Sequence, residues 1–360
     1  MKRFSPLGGV PLTALGWNEH FARAFEPFAA DGLLAGRVVL EHTHLYRVLT
    51  ESAETLARVS GRFRHHAEGR GEFPAVGDWV AMVPRPQGGR ATIRAVLPRL
   101  SRFARKVAGS RTEEQVVAAN LDTVFLVAGL DGDFNLRRLE RYLVLARESG
   151  AVPVVVLNKA DVCPDVATRV RDVEAIALGT PVFAVSARTP QGLDALRTFL
   201  RRGETVALLG SSGVGKSTII NALLGEALLR TREVRDHDSR GRHTSSARQL
   251  VVLPGGALVI DTPGMRELQL WEIGEGLHET FDDVDSIGAT CRFRDCQHRS
   301  EPGCAVRAAV EAGRLAAARL GSYVKLRDEL ERLTERPERK RQEKIVGRAL
   351  KAHLRTKPRR

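Results

Sequence analysis

Gly210-Ser211-Ser212-Gly213-Val214-Gly215-Lys216-Ser217-Thr218 decides the central fold, because it stands between an apolar run, Thr205 to Leu209, and a stretch of helical character. A strand that ends in a glycine-rich turn and then opens a helix is the context of a phosphate-binding loop. The glycines let backbone N–H groups wrap phosphates, Lys216 reaches the β and γ oxygens, and Ser217 offers a hydroxyl to Mg²⁺. The whole run from Gly210 to Thr218 is therefore expected to line a nucleotide.

The base is chosen upstream. Asn158-Lys159-Ala160-Asp161 stands at the end of another apolar run, Val152 to Leu157. A carboxylate at Asp161 can accept from both N1–H and the 2-amino group of guanine, a donor pair that adenine lacks, so Asp161 selects GTP over ATP. Ser186-Ala187 ends the next run, Val182 to Val185, and can present a backbone N–H to the guanine carbonyl. Downstream, Asp261-Thr262-Pro263-Gly264 follows Leu258 to Ile260. There Asp261 can hold Mg²⁺ through water while the Gly264 N–H meets the γ-phosphate, and Thr244 is the expected second hydroxyl on Mg²⁺. Ser245 and Ser246 are its close neighbours.

Catalysis is assigned to Lys216, Thr244 and His243. Many GTPases place Gln directly after Asp-x-x-Gly to orient water, whereas this chain has Met265, which cannot aim a water by hydrogen bonding. Intrinsic hydrolysis is expected to be slow. His243, beside Thr244, is the candidate for positioning the water once a partner orders the loop; a solvated histidine without a role is the competing reading.

From Leu121 onward apolar strands alternate with amphipathic helices, the pattern of a parallel sheet covered on both faces. Asn135 is placed to cap a helix carrying Leu136, Leu139, Leu143 and Ala146 on one face, with Gly150 where it should stop. Before this region, Leu34 to Glu41, Leu45 to Thr50, Thr55 to Ser60, Asp78 to Pro84 and Ala91 to Leu97 read as five short strands. They suggest a small barrel, with an OB-fold as the natural candidate, although five strands alone do not separate it from an SH3-like barrel. Arg99 to Arg111 reads as a basic linker, and the first thirty or so residues have no assignable pattern.

After Trp271 the sheet pattern ends. Cys291, Cys296, His298 and Cys304 fall within fourteen residues and offer three thiolates and an imidazole, a complete tetrahedral set for one structural Zn²⁺. Helical sequence follows from about Ala305 to Leu333, and Cys163 stands apart as a lone thiol. The division expected is an N-terminal extension at 1–33, the barrel at 34–98, the nucleotide domain at 112–271, a zinc-binding helical domain at 272–335 and a basic tail at 336–360.

The 360 residues are 43% hydrophobic and 28% charged, values of a globular rather than a disordered or fibrous chain. No apolar run approaches the roughly 20 residues of a membrane span, and the N-terminus lacks the apolar core of a signal peptide. A cytoplasmic location follows. The net charge of +13, concentrated in the tail, implies a polyanionic partner, nucleic acid before an anionic membrane surface.

The motifs occur in the order Asn-Lys-x-Asp, Ser-Ala, phosphate loop, Thr244, Asp-x-x-Gly, whereas common GTPases begin with the phosphate loop. A circular permutation accounts for this. With five strands before it, Gly241-Arg242-His243-Thr244 within it and Cys291-x4-Cys296-x-His298-x5-Cys304 after it, the chain resembles the circularly permuted RsgA-type GTPases of small ribosomal subunit biogenesis, over roughly Leu34 to Leu333. The resemblance implies a multidomain protein: an N-terminal OB-fold β-barrel, a central permuted α/β GTPase domain and a C-terminal zinc-binding α-helical domain. It also implies GTP with Mg²⁺, one zinc ion, and the small ribosomal subunit as both target and activator, with rRNA bound through the barrel and zinc domain. A monomer without membrane attachment is expected. Two other classes stand beside it: a membrane-surface or signalling GTPase whose tail meets anionic lipid, and a nucleic-acid-processing enzyme using zinc, against which the filled four-ligand set argues.

Overall fold

Alternating apolar residues on five short strands give a sheet that must bury one face, and it does so by curling on itself. In the computed structural model, which describes residues 10–42, 45–84, 89–106, 114–189, 191–224, 248–261 and 275–332, β1 (Leu34–His42), β2 (Leu45–Leu49), β3 (Glu54–Val59), β4 (Trp79–Val83) and β5 (Ala91–Val96) close in the order β1-β2-β3-β5-β4-β1. All neighbours are antiparallel except β3 and β5. That connectivity resolves the choice left by strand count: the barrel is an OB-fold. Val38, Tyr46, Val48, Val80 and Ile93 fill it, each contributing about 1.5–3 kcal/mol by full burial.

The N-terminal stretch has structure that the sequence reading did not assign. Asn18 accepts from the Phe21 N–H and caps α1 (Glu19–Ala30). Trp17 and Phe21 from this segment lie 4.7 and 5.8 Å, centroid to centroid, from the buried Trp79 ring of β4. α2 (Gly61–His66), capped by Ser60, joins β3 to β4. The stretch read as a basic linker is also different: β6 (Arg102–Lys106) pairs antiparallel with β7 (Glu114–Ala119).

The nucleotide domain follows with β8 (Thr123–Gly129), α3 (Leu136–Glu148), β9 (Val152–Asn158), α4 (Val166–Glu174), β10 (Val182–Ala184), α5 (Leu193–Arg197), β11 (Thr205–Leu209), α6 (Lys216–Leu224), β12 (Gln249–Val252) and β13 (Leu258–Asp261). Its strands run β10-β9-β8-β11-β13-β12. Five are parallel; β12, an edge strand the sequence reading did not separate, is antiparallel to β13. Phe125, Val154, Val206 and Ile219 are among the side chains that pack sheet against helices. Asn135 caps α3 through the Arg138 N–H, and Gly150 ends it at φ +81°, a conformation that glycine adopts without strain.

Barrel and nucleotide domain belong to one unit. β1 meets β12 at the bridge Leu40↔Gln249, so the two sheets are hydrogen-bonded edge to edge. Beside it Arg248 and Glu41 pair at 3.6 Å. Arg37 of β1 is 1% exposed. Its guanidinium donates to the carbonyls of Leu15, Gly77 (3.2 Å) and Asn120 (3.0 Å) and to Thr205 Oγ1 (2.8 Å). Burial lowers its pKa to about 10, with Asp122 and Asp78 opposing the shift. A residue that reads as a solvent-facing strand position thus ties the N-terminal segment, the barrel and the starts of β8 and β11 together. Gly16, at φ +88°, lets the chain pass close: a Cβ there would meet the Gly203 carbonyl at 2.7 Å.

The second unit holds the C-terminal elements α7 (Glu275–Thr280), α8 (Asp282–Gly288), α9 (Ala305–Glu311) and α10 (317–332). The helical stretch read from about Ala305 is interrupted at Gly313, which takes φ +70°. Phe281, Val284, Val306 and Leu330 form its buried interior. Arg319, 3% exposed, lies flat against Phe281 at 4.2 Å and grips Asp283 through two hydrogen bonds of 3.1 and 2.9 Å.

Candidate nucleotide site and metal centre

In a parallel sheet ligands gather at the carboxyl ends of the strands, and the predicted motifs do so here. β11 is central, between β8 and β13 in register, and its end delivers the phosphate loop into the first turn of α6, where Lys216, Ser217 and Thr218 lie. Gly213 and Gly215 take φ +78° and +95°, so both turn through the left-handed region that other residues resist. A Cβ at Gly215 would collide with the Asn158 side-chain amide. The Lys216 ammonium donates to the carbonyls of Gly210 (2.8 Å) and Ser211 (2.6 Å), lying over its own loop.

Asn158 joins the pieces. It is 3% exposed at the end of β9, its Nδ2 donates to the Val214 carbonyl at 2.8 Å, and its Oδ1 accepts from the Ala187 N–H at 3.0 Å. One amide therefore fixes the phosphate loop against the Ser186-Ala187 loop, using both of its faces. Asp161 is exposed, with Oδ1 accepting from Ser186 Oγ at 2.7 Å. The carboxylate is oriented by the loop expected to meet the other side of the base. Lys159 takes φ +67°, and its ammonium pairs with Asp131. Burial pushes the Asp131 carboxyl up, but the Lys159 hydrogen bond and the Asp133 N–H outweigh it and hold it below the ordinary carboxylate range.

Asp131 and Asp133 were not singled out from sequence. Asp133 accepts from Ser211 Oγ of the phosphate loop and pairs with Arg138 at 2.9 Å. The available signal was position: Leu130-Asp131-Gly132-Asp133 follows β8 on the same sheet edge as the other motifs. Asp261 closes β13, paired with Gln249 of β12. The side chain of Asp261, and His243, Thr244 and Gly264 altogether, lie outside the described residues. The structure therefore brings together Asn158, Lys159, Asp161, Ser186, Ala187 and the loop from Gly210 to Thr218.

In the second unit, one ligand atom each from Cys291, Cys296, His298 and Cys304 lies within 4.8 Å of all the others. Zn–S bonds of about 2.3 Å and Zn–N bonds of about 2.0–2.1 Å at tetrahedral angles place S and N about 3.5–3.6 Å apart. Cys291 Sγ and Cys304 Sγ lie 3.6 and 3.5 Å from His298 Nδ1, so the donor set fits zinc through Nδ1. Local chemistry agrees. Burial and Arg327 keep the His298 imidazole below its usual pKa, favouring the neutral ligand form. Burial pushes the Cys291 thiol up, but the backbone N–H groups of Val306 and Ala305 more than offset this and favour thiolate. Burial raises Cys296 to about 11, with the neighbouring thiols adding to it; that is the environment a dication would relieve. His298 itself sits at φ +58° and is 9% exposed. Among the described residues, no helix is long and apolar enough to cross a membrane.

Comparison with known proteins agrees with this arrangement. A model of the RsgA GTPase family matches residues 96–271. A protein of Opitutus terrae named small ribosomal subunit biogenesis GTPase RsgA is 51% identical over 329 residues, which cover 89% of this chain and 90% of that one. One of the same name from Methanosarcina acetivorans is 46% identical, over 88% of this chain and 84% of its own. Among solved structures, YjeQ from Thermotoga maritima superposes with a TM-score of 0.62 at 31% identity, covering 83% of this chain and 98% of that chain. YloQ, described as a circularly permuted GTPase, shares the fold with a TM-score of 0.58 at 24% identity, over 84% and 96% of the two chains. Strand order, motif order and 46–51% identity over nearly nine-tenths of the chain converge: the chain belongs to the RsgA family of GTPases, and it hydrolyses GTP on a circularly permuted sheet.

Proposed function

We propose that this chain uses GTP hydrolysis to time its residence on the small ribosomal subunit, acting late in that subunit's maturation, with the subunit as its activator. The observation that carries the GTP part of the reading is the joint anchoring of the phosphate loop and the Ser186-Ala187 loop on Asn158. Relatives of this chain bear small ribosomal subunit biogenesis in their names, and the OB-fold and the net charge of +13 suit RNA. The barrel and the zinc-bearing unit would both contact rRNA.

In the nucleotide site, Gly210 to Thr218 bind the phosphates, Asn158, Lys159 and Asp161 with Ser186 and Ala187 bind guanine, and Gly264 meets the γ-phosphate. Ser217 and Thr244 would hold Mg²⁺, with Asp261 acting through water, and the ion would supply positive charge against the phosphates. Lys216 stabilises the transferred phosphoryl group, and His243 positions the attacking water once the subunit orders its loop. The zinc ligands Cys291, Cys296, His298 and Cys304 fill all four positions, so the ion serves structure. The protein acts as a cytoplasmic monomer, without a membrane.

The test is GTP turnover with and without purified small subunits, with large subunits as control and Lys216→Ala to exclude contaminants. Stimulation by the small subunit alone is expected. Equal turnover with either subunit, or none, would sink the partner assignment while leaving the nucleotide site in place. Unchanged stimulated turnover in His243→Ala would remove His243 from catalysis.

A further inference from the structure

Among the described arginines of the zinc-bearing unit, Arg299, Arg307, Arg319 and Arg327 pair with carboxylates, whereas the exposed Arg292, Arg294, Arg314 and Arg332 do not. Arg299 makes a bidentate pair with Asp328, both contacts 2.6 Å; Arg319 grips Asp283; Arg327 approaches Glu331 at 3.6 Å. Arg292 and Arg294 are exposed and pair with no carboxylate among the described residues. Between them stands Phe293, which at 42% exposure is the one exposed large hydrophobic side chain among the described residues of this unit. A lone exposed phenylalanine needs no explanation. One held rigidly between two uncompensated cations does.

The rigidity comes from the metal loop. Phe293 lies two residues after the ligand Cys291 and three before Cys296. Its carbonyl accepts from the Cys296 N–H at 3.3 Å, and the Arg292 N–H is tied to the Gly303 carbonyl at 3.2 Å. The Arg292 guanidinium lies 5.5 Å from the ring centroid. Gly303, at φ +73°, leaves room for it: a Cβ there would press on Arg292 Cβ at 3.1 Å. The backbone that carries ring and cation is thus ordered before any ligand arrives, which lowers the cost of stacking.

We propose that Phe293 is a stacking platform for an unpaired RNA base, with Arg292 and Arg294 on the flanking phosphates. The inference rests on the reading that this chain binds RNA, and deepens it. The geometry favours single-stranded over duplex RNA, because an A-form helix keeps its bases stacked and its major groove closed to side chains. It favours RNA over a protein groove because both residues flanking the ring are cationic and the Arg292 guanidinium lies over it, the combination that stacks bases without regard to sequence.

The experiment uses the full-length, zinc-loaded protein and a short oligoribonucleotide carrying one 2-aminopurine, in single-stranded and duplex forms, with zinc content measured for every variant. Wild type should quench the probe and prefer the single strand. Phe293→Leu should retain zinc, weaken binding about tenfold and abolish the quench, whereas Phe293→Tyr should restore both. If wild type binds but Phe293→Leu binds and quenches equally well, the platform is wrong and the RNA reading stands. If the Phe293→Leu loss is accompanied by zinc loss and Tyr does not rescue, the ring is structural and the proposal fails. If wild type binds no RNA at all, platform and RNA reading fall together.

Discussion

The nucleotide site and the metal centre solve the same problem, holding four or more groups at one point, by opposite means. The nucleotide site draws on residues from Asp131 to Lys216, carried by β8, β9, β10 and β11. β8 and β11 are buried along their whole length and β9 along most of it, while β10 is half-buried, and the site inherits its positions from a hydrophobic sheet that needs no ligand to form. The metal centre draws its four ligands from fourteen consecutive positions in a loop with almost no regular structure, between α8 and α9. A sheet makes distant residues neighbours by packing; a short loop makes near residues converge only if something binds them. The lesson is that one site should survive loss of its ligand and the other should not.

The sharpest break of that contrast is metal removal. Stripping zinc by chelation, or Cys291→Ser, should unfold the second unit, since structural zinc supplies on the order of 10 kcal/mol of folding free energy in small domains. Circular dichroism should show helix loss while GDP affinity stays within a factor of two or so of wild type. Equal loss of GDP binding would show that the two sites are not independent.

Next in size is Arg37→Met. Four acceptors in the seam between barrel, N-terminal segment and nucleotide domain, three of them carbonyls, lose a donor, and of these carbonyls Gly77 keeps the Asn120 side-chain amide. A cost of about 2–4 kcal/mol is expected from orphaned buried acceptors. Chemical denaturation followed by tryptophan fluorescence checks it, with Trp17 and Trp79 near the seam; zinc content should not change. Asn158→Ala comes third. It removes two hydrogen bonds that hold the phosphate and Ser186-Ala187 loops together, and GTP affinity should fall roughly 30- to 150-fold, the equivalent of 2–3 kcal/mol. Titration of a fluorescent guanine nucleotide reads this directly; a change below threefold would mean the loops hold without it.

The smallest effect belongs to Asp131→Asn. Its pair with Lys159 is about one-third exposed on both sides, so the loss should be under about 1 kcal/mol. The pH dependence has a definite sign. Because the folded carboxyl is held below its ordinary value, its contribution is complete above about pH 4 and disappears as the pH falls through the folded value. Asp131→Asn should flatten that acid limb relative to wild type.

Most of this was legible in the sequence, and what was not has physical reasons. The nucleotide motifs sit where strand ends and a glycine-rich turn must sit, so Gly210 to Thr218 and Asn158 announce themselves by residue type. The four candidate zinc ligands are local and chemically distinctive. Arg37 was invisible because a single arginine in a strand with apolar neighbours reads as an outward-facing position; its burial is decided by Leu15, Asn120 and Thr205, up to 168 residues away. Helix α1 was missed although Trp17, Phe21, Phe25 and Phe28 recur at helical spacing, because Pro27 within it argues against a helix. β6 reads as linker because basic residues dominate it, while its partner β7 supplies the apolar half of the pair: Val116, Val117, Ala118 and Ala119 are all buried.

One small feature has mechanical weight. The bridge Leu40↔Gln249 fastens β12 to the barrel five residues after Thr244 in sequence. A strand cannot slide against its neighbours by an arbitrary distance: one residue of slip would turn the buried Leu250 out to water, and only a two-residue step restores the pattern. β12 is therefore a detent rather than a spring. A change of register at this junction is all-or-none, in steps of two residues.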